Sequence, residues 1–262
     1  MSSRAPVGVF DSGVGGLTVA REVRALLPGE DLLYYADNAH CPYGERPSEE
    51  VTQLALAAAE RLIAAGAKLI VVACNSASGA ALHELRRRYA VPFVGMVPAI
   101  KPACSLSASG RVGVLATTLT VQAELFSDVV TRFARECRLT IQTCPGLAEA
   151  IERGELETPE TVAMVRAYLR PLKAAGVDVV VLGCTHYPHV RPTIERELGP
   201  GVPVVDSGAA VARQVRRVLV ERDLLADRPG GGGFRLMTSG DPAVARQLAA
   251  ALGLVESALS VR

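Results

Sequence analysis

Short apolar runs alternate along this chain with longer stretches in which apolar residues recur every three or four positions. The runs Val7–Phe10, Leu32–Ala36, Leu69–Ala73 and Pro92–Met96 are continuous, and Leu17–Leu27, Ser48–Ala65 and Ser78–Tyr89 between them carry helical periodicity. Continuous apolar runs separated by amphipathic stretches predict strands covered on both faces and linked by crossover helices, the βαβ pattern of a parallel sheet. The plan then repeats. Val112–Leu115, Leu139–Thr143, Val179–Leu182 and Val204–Val205 read as strands, and Gln122–Glu136, Thr158–Ala175, His189–Leu198 and Gly208–Glu221 as helices. Beyond a flexible run at Gly230–Gly233, the pattern predicts a strand at Phe234–Thr238 and a helix at Asp241–Leu252, with Asp241-Pro242 as its cap and first turn.

The repetition extends to the letters. VGVFDSG at Val7 is similar to VGVLATT at Val112, LIVVACNSA at Leu69 to VVVLGCTHY at Val179, and VPFVGMVPA at Val91 to VPVVDSGAA at Val202, with offsets of 105, 110 and 111 residues. Three matches at nearly one offset predict a duplication, too long in period for a solenoid. The expected fold class is α/β: two similar three-layer domains with mostly parallel sheets, related by pseudo-two-fold symmetry, with the active site between them.

Open parallel sheets bind ligands at the carboxyl ends of their strands. Asp11-Ser12-Gly13, Cys74-Asn75-Ser76, Thr117-Thr118 and Cys184-Thr185-His186 each follow a strand directly. Cys74 and Cys184 are equivalent under the duplication. If the two halves face each other, their thiols approach one ligand from opposite sides, as a racemase requires: one group removes the α-proton and the other delivers a proton to the opposite face. A free thiol, with a pKa of about 8.5, is about 3% thiolate at pH 7, and ionising it costs roughly 2 kcal/mol. That is small beside a barrier reduction of roughly 8 kcal/mol or more. A helix starting after each cysteine is expected to favour the thiolate. Asp11 near one thiol, and His186 or Glu152 near the other, are expected to hold or relay protons.

Other features narrow the reading. With 28 Lys and Arg against 27 Asp and Glu, the net charge of +1 offers no field for nucleic acid or an anionic membrane, and Arg86-Arg87-Arg88 reads as a solvated helix end. Neither a membrane-length apolar segment nor a signal-peptide pattern is seen, so the expected compartment is the cytoplasm, with all six cysteines reduced. No C-x-x-C or C-x-x-H pair suggests a metal site, and Cys41, Cys104, Cys137 and Cys144 read as small buried apolar residues. His40, His83 and His189 are expected at the surface. The glycines at Gly13–Gly16 lack the spacing of a dinucleotide loop and no Walker lysine follows them. A pyridoxal phosphate racemase needs a Schiff-base lysine, and Lys68, Lys101 and Lys173, the three in the chain, are poorly placed for it. No cofactor is expected. Substrate carboxylates should be held by hydroxyls, amides and helix N-termini, because the motif loops contain no arginine.

The ordered set GVFDSGVGGLTV (Gly8–Val19), CPYGERP (Cys41–Pro47), VVACNSASG (Val71–Gly79), VGVLATTLTV (Val112–Val121), CPGLAEAIERG (Cys144–Gly154), VLGCTHYPHV (Val181–Val190), VVDSGAAVA (Val204–Ala212) and TSGDP (Thr238–Pro242) resembles bacterial glutamate racemases over essentially the whole chain. The resemblance implies interconversion of L- and D-glutamate without a cofactor, supplying D-glutamate for bacterial cell-wall peptidoglycan. Racemases of aspartate or hydantoins share the two-thiol plan and remain alternatives, as does a non-catalytic binding protein of similar shape, against which retention of both thiols argues. It implies Cys74 and Cys184 as the acid–base pair, Cys74 serving D-glutamate and Cys184 L-glutamate, supported by Asp11, Glu152 and His186. Ligand contacts are implied for Asp11, Ser12, Pro42, Tyr43, Gly44, Cys74, Asn75, Ser76, Thr117, Thr120, Cys184, Thr185 and His186. A discontinuous domain of residues 1–98 and 208–262, a second domain of residues 99–207, and a homodimer are implied likewise. The chain departs from the pattern at Ser76, where Thr is more usual, and at Ala36-Asp37-Asn38 and His40-Cys41.

Overall fold

The computed structural model describes residues 2–133 and 137–254. Along the first half run β1 (Val7–Asp11), α1 (Leu17–Leu26), β2 (Leu32–Ala36), α2 (Ser48–Ala64), β3 (Leu69–Val72), α3 (Asn75–Arg88) and β4 (Phe93–Val94). The next part comprises α4 (Ile100–Leu106), β5 (Arg111–Ala116), α5 (Thr118–Gln122), α6 (Glu124–Phe133), β6 (Arg138–Thr143), α7 (Leu147–Glu152), α8 (Pro159–Ala174), β7 (Val179–Leu182), α9 (Arg191–Leu198) and β8 (Val204–Val205). The chain closes with α10 (Gly208–Glu221), β9 (Phe234–Thr238) and α11 (Ala243–Ala251).

Two parallel sheets result, ordered β4-β3-β1-β2-β9 and β6-β5-β7-β8. Exchanging β1 to β4 for β5 to β8 converts the first order into the second. Register follows too: Val7 is level with Leu69, and Val112 with Val179. The repeated letters thus mark a repeated topology. Successive strand residues point to opposite faces. Val7, Val9, Tyr34 and Val71 pack with Leu17, Val23 and Val215 of α1 and α10. Phe10, Leu33, Ile70 and Val72 pack with Ala59, Leu62 and Leu85 of α2 and α3. Both faces are therefore covered, which is why these strands read as continuous apolar runs. Each fully buried aliphatic side chain contributes roughly 1.5–3 kcal/mol.

The chain passes from the first sheet to the second after β4 and returns after β8. The two passages lie side by side, and Ser207 Oγ donates to the Val97 carbonyl at 2.6 Å. β9 then joins the first sheet beside β2. Among the described residues no helix is long and apolar enough to cross a membrane.

Several expectations need correction. The stretch predicted as a helix from Ser78 starts at Asn75, because the Cys74 side chain itself caps it, accepting from the Ala77 N–H at 3.5 Å. The predicted helix Gln122–Glu136 is two helices broken at Ala123, and its last residues, 134–136, lie outside the described residues. No α-helix follows Cys184 directly. Pro188 and Pro192 punctuate that segment, so a 3-10 turn spans Tyr187–Val190 and α9 waits until Arg191. Cys104 and Cys137 are not free thiols: a disulfide joins them, tying α4 to the segment entering β6. Nor is His189 a surface residue. It is half-buried, 3.3 Å from the Val14 carbonyl, and burial lowers its pKa to about 4.

Candidate active site

The ends of β1, β3, β5 and β7 converge on one narrow pocket with room for about one water, roughly 10 Å³. Its walls are Ser12 from the β1 loop, Pro42, Tyr43 and Gly44, Cys74, Asn75 and Ser76 after β3, Thr117 and Thr120 after β5, Ala148 on α7, and Cys184, Thr185 and His186 after β7. The two cysteines expected to act as a pair therefore line the same space, each delivered by the equivalent strand of its sheet. Neither arginine nor lysine is among these residues.

Cys74 is the N-cap of α3, so helix packing fixes its sulfur. The Asp11 carboxylate neighbours that sulfur and is itself fully buried behind the cavity wall. The Gly16 N–H donates to Asp11 Oδ2 at 2.8 Å and the Thr185 hydroxyl to Oδ1 at 3.4 Å. Asp11 is thus placed behind Cys74 and does not line the cavity. Burial raises the Asp11 carboxyl above its ordinary range, partly offset by His186 and the Gly16 amide, while Glu152 pushes the same way as burial. Burial also raises the Cys74 thiol well above its ordinary value, and the neighbouring Asp11 carboxylate adds to this.

Cys184 has different company. Its sulfur lies 3.7 Å from His186 Nδ1, and His186 Nε2 lies 2.5 Å from Glu152 Oε1. Burial alone would strip the imidazole of its proton, but the Cys184 and Cys41 sulfurs and the Glu152 carboxylate hold its pKa well above the ordinary imidazole value. Burial disfavours the Glu152 carboxylate, yet bonds from His186, the Val14 amide and Asn38 keep its pKa below the ordinary range. The Val14 N–H donates to Oε1 at 2.6 Å and Asn38 Nδ2 to Oε2 at 2.6 Å. The glycines of the β1 loop make this approach feasible. A Cβ on Gly13 would collide with the Glu152 carboxylate, and one on Gly15 would stand 2.6 Å from His186 Nδ1.

Polar groups ring the remaining wall. Ser76 Oγ meets Thr117 Oγ1 at 2.9 Å and Thr120 Oγ1 at 3.3 Å, while the two threonine hydroxyls are 2.8 Å apart. This triangle links the two sheets' layers with hydroxyls able to turn toward a carboxylate. Asn75 is 5% exposed, and neither its Nδ2 nor its Oδ1 has a partner among the described residues. A buried amide left so costs roughly 1–3 kcal/mol, and a polar ligand would recover it. The Tyr43 hydroxyl donates to Asp37 Oδ2 at 2.6 Å, holding its ring in the wall.

Three contributors escaped the sequence reading. Ala148 lines the cavity from α7, a helix too short to show periodicity. Asn38 anchors Glu152 across a separation of 114 residues. Cys41 was read as a buried apolar residue, but it is half-buried with its sulfur 3.9 Å from His186 Nε2. Burial pushes its thiol up to about 12. Its position directly before Pro42 was the available signal.

Residues 17–215 match the sequence profile of the Asp/Glu/Hydantoin racemase family. A glutamate racemase of Roseiflexus is 52% identical over 242 residues, covering 92% of this chain and 89% of its own. The crystal structure of a glutamate racemase isoform from Bacillus anthracis superposes with a TM-score of 0.88 at 31% identity, covering 99% of this chain and 98% of its own. That of the Escherichia coli glutamate racemase, in complex with L-glutamate and an activator, superposes with a TM-score of 0.83 at 34% identity over 95% of both chains.

Proposed function

The chain belongs to the Asp/Glu/hydantoin racemase family, and we propose that it interconverts L- and D-glutamate by passing protons between the thiols of Cys74 and Cys184. The observation carrying this reading is that the two sulfurs line one cavity from equivalent positions after β3 and β7. Glutamate as the substrate is supported by relatives such as the Roseiflexus enzyme.

Starting from L-glutamate, the Cys184 thiolate takes the α-proton while the Cys74 thiol gives its proton to the opposite face. D-glutamate leaves, and the thiols have exchanged protonation states. The reverse reaction starts from Cys74 as thiolate. The raised pKa of the buried Cys74 keeps its thiol protonated in this direction, so a proton is in place to be delivered. Asp11 accepts from Cys74 and prepares it for the reverse reaction. A doubly protonated His186 donates from Nδ1 toward Cys184 and from Nε2 toward Glu152, so the charge beside that thiol is balanced. Ser12, Asn75, Ser76, Thr117, Thr120 and Thr185 offer hydroxyls and amides to the two carboxylates, and Pro42, Tyr43 and Gly44 close the wall. The chemistry requires neither metal nor pyridoxal phosphate.

The two sheets are read as two domains, residues 1–98 with 208–262 and residues 99–207, working in the cytoplasm as a homodimer and supplying D-glutamate for peptidoglycan. Purified protein incubated with either enantiomer in D2O should form the other and exchange the α-proton, without added cofactor. Faster turnover of aspartate than of glutamate, or loss of activity on chelation with recovery on adding metal, would overturn the reading. Light scattering at a monomer mass would overturn the dimer.

A further inference from the structure

Cys41, Glu152 and His186 come from three separate segments, yet one sulfur, one carboxylate oxygen and one ring nitrogen lie within 4.8 Å of one another. No motif spacing announces this cluster, because Cys41 and His186 are 145 residues apart. Proton transfer between Cys74 and Cys184 does not pass through Cys41, whose sulfur only adds to the raised pKa of His186. We propose that Cys41, His186 and Glu152 form a binding site for a thiophilic divalent cation, Zn2+ by ligand chemistry, and that filling it shuts the enzyme down reversibly. The inhibitory half rests on the reading of Cys184 and His186 as proton-transfer machinery; the site itself rests on the ligand set.

Thiolate, imidazole and carboxylate bind Zn2+ at about 2.3, 2.0–2.1 and 2.0–2.2 Å, so around a tetrahedral ion such donors stand roughly 3.3–3.6 Å apart. The Cys41 Sγ to His186 Nε2 distance of 3.9 Å needs to shorten by a few tenths of an ångström. The Glu152 Oε1 to His186 Nε2 distance of 2.5 Å needs to open as the ion comes between them. Both are side-chain rotations. Outer partners that orient such ligands are already in place: Asn38 Nδ2 holds Glu152 Oε2 at 2.6 Å, and His186 Nδ1 faces Cys184 Sγ at 3.7 Å. Cys41 is half-buried beside Pro42, so it offers the ion a way in. Binding forms S–Zn, N–Zn and O–Zn bonds and releases the Cys41 thiol proton and the His186 Nε2 proton to solvent. His186 then has no proton to share with Glu152, and its Nδ1–H is committed to the Cys184 sulfur.

Cobalt(II) titration of the reduced full-length protein tests the site without reference to catalysis. Wild type and Cys74→Ser should each bind one cobalt per chain with sulfur-to-cobalt charge-transfer absorption, and Cys41→Ser should lose that band. Zn2+ should inhibit racemisation by wild type, reversibly on chelation, while Cys41→Ser, measured against its own metal-free rate, needs roughly tenfold or more Zn2+ for the same fractional inhibition. A band persisting in Cys41→Ser, or no band in wild type, overturns the site. A band without inhibition overturns the regulatory half. Failure of the protein to racemise glutamate counts against the proposed function and leaves the optical result to decide the site.

Discussion

Glu152 Oε1 stands 2.5 Å from His186 Nε2, joining the end of α7 to the loop after β7, and the same carboxylate reaches the β1 loop through the Val14 amide. The pair thus fastens both sheets' layers at the point where Cys184 enters the cavity. Because the folded pKa of His186 is raised, its contribution to stability is complete below the ordinary imidazole value and is lost as pH rises through the raised one. Because that of Glu152 is lowered, its contribution is present above the ordinary carboxylate value and is lost as pH falls through the lowered one. Thermal melts across pH should show wild-type stability declining on the alkaline side more steeply than that of Glu152→Gln. Parallel alkaline limbs would contradict the pairing.

Asn75→Ala separates binding from folding. The amide has no partner among the described residues, so its removal should not destabilise the fold while weakening glutamate binding by roughly 1–3 kcal/mol. A rise in KM with an unchanged or raised melting temperature is the expected signature. A melting temperature that falls steeply with KM unchanged would mean that Asn75 serves the fold.

The two thiols should divide partial reactions between them. A glutamate analogue with a leaving group at the β-carbon can eliminate after one deprotonation. Cys74→Ser should then eliminate only from the L form and Cys184→Ser only from the D form, while racemisation collapses in both. Equal losses for both enantiomers in both variants would break the two-base reading.

Asp11 neighbours Cys74, and it meets the Cys184 side only through the Thr185 hydroxyl and the charges of His186 and Glu152. Asp11→Asn should slow α-proton exchange from D-glutamate, the step that starts with deprotonation by Cys74, by roughly 10²- to 10⁴-fold, with kcat/KM for racemisation falling equally in both directions because the equilibrium constant is one. Progress curves run from each enantiomer, with isotope exchange at the α-carbon, report the direction affected. Equal exchange rates from D-glutamate in variant and wild type would remove Asp11 from the reaction.

Away from the cavity, Lys68 Nζ meets Glu30 Oε2 at 2.6 Å, the lysine with 0% and the glutamate with 2% of its side chain exposed. Lys68→Ala leaves the buried Glu30 carboxylate without its countercharge, with only the Ala226 N–H on Oε1, and should cost about 3–5 kcal/mol in denaturant unfolding, with kcat unchanged. A loss under about 1 kcal/mol would show that water or a rearranged neighbour replaces the ammonium.

The strands were legible because burial on both faces writes continuous apolar runs, as at Leu32–Ala36 and Val179–Leu182, which match the observed elements. The cysteines were legible because duplication put one thiol after each equivalent strand. Local rules failed where tertiary contacts decide. Cys74 starts α3 with a sulfur cap in a polar run that reads as loop, and Asn38 and Cys41 matter only through Glu152 and His186, more than 100 residues away. The Cys104–Cys137 bond spans 33 residues with no motif spacing to announce it.

The side-by-side passages at Val97 and Ser207 give the molecule a spine. Both connections between the sheets' layers run through it. The reaction chamber lies beside this spine, Pro98 packing near Gly183 just before Cys184, and across it Ser76 meets Thr117 and Glu152 meets Val14 and Asn38. Those clasps make the spine and the chamber one structural unit: a change at the crossover reaches the thiols through the loops that carry them.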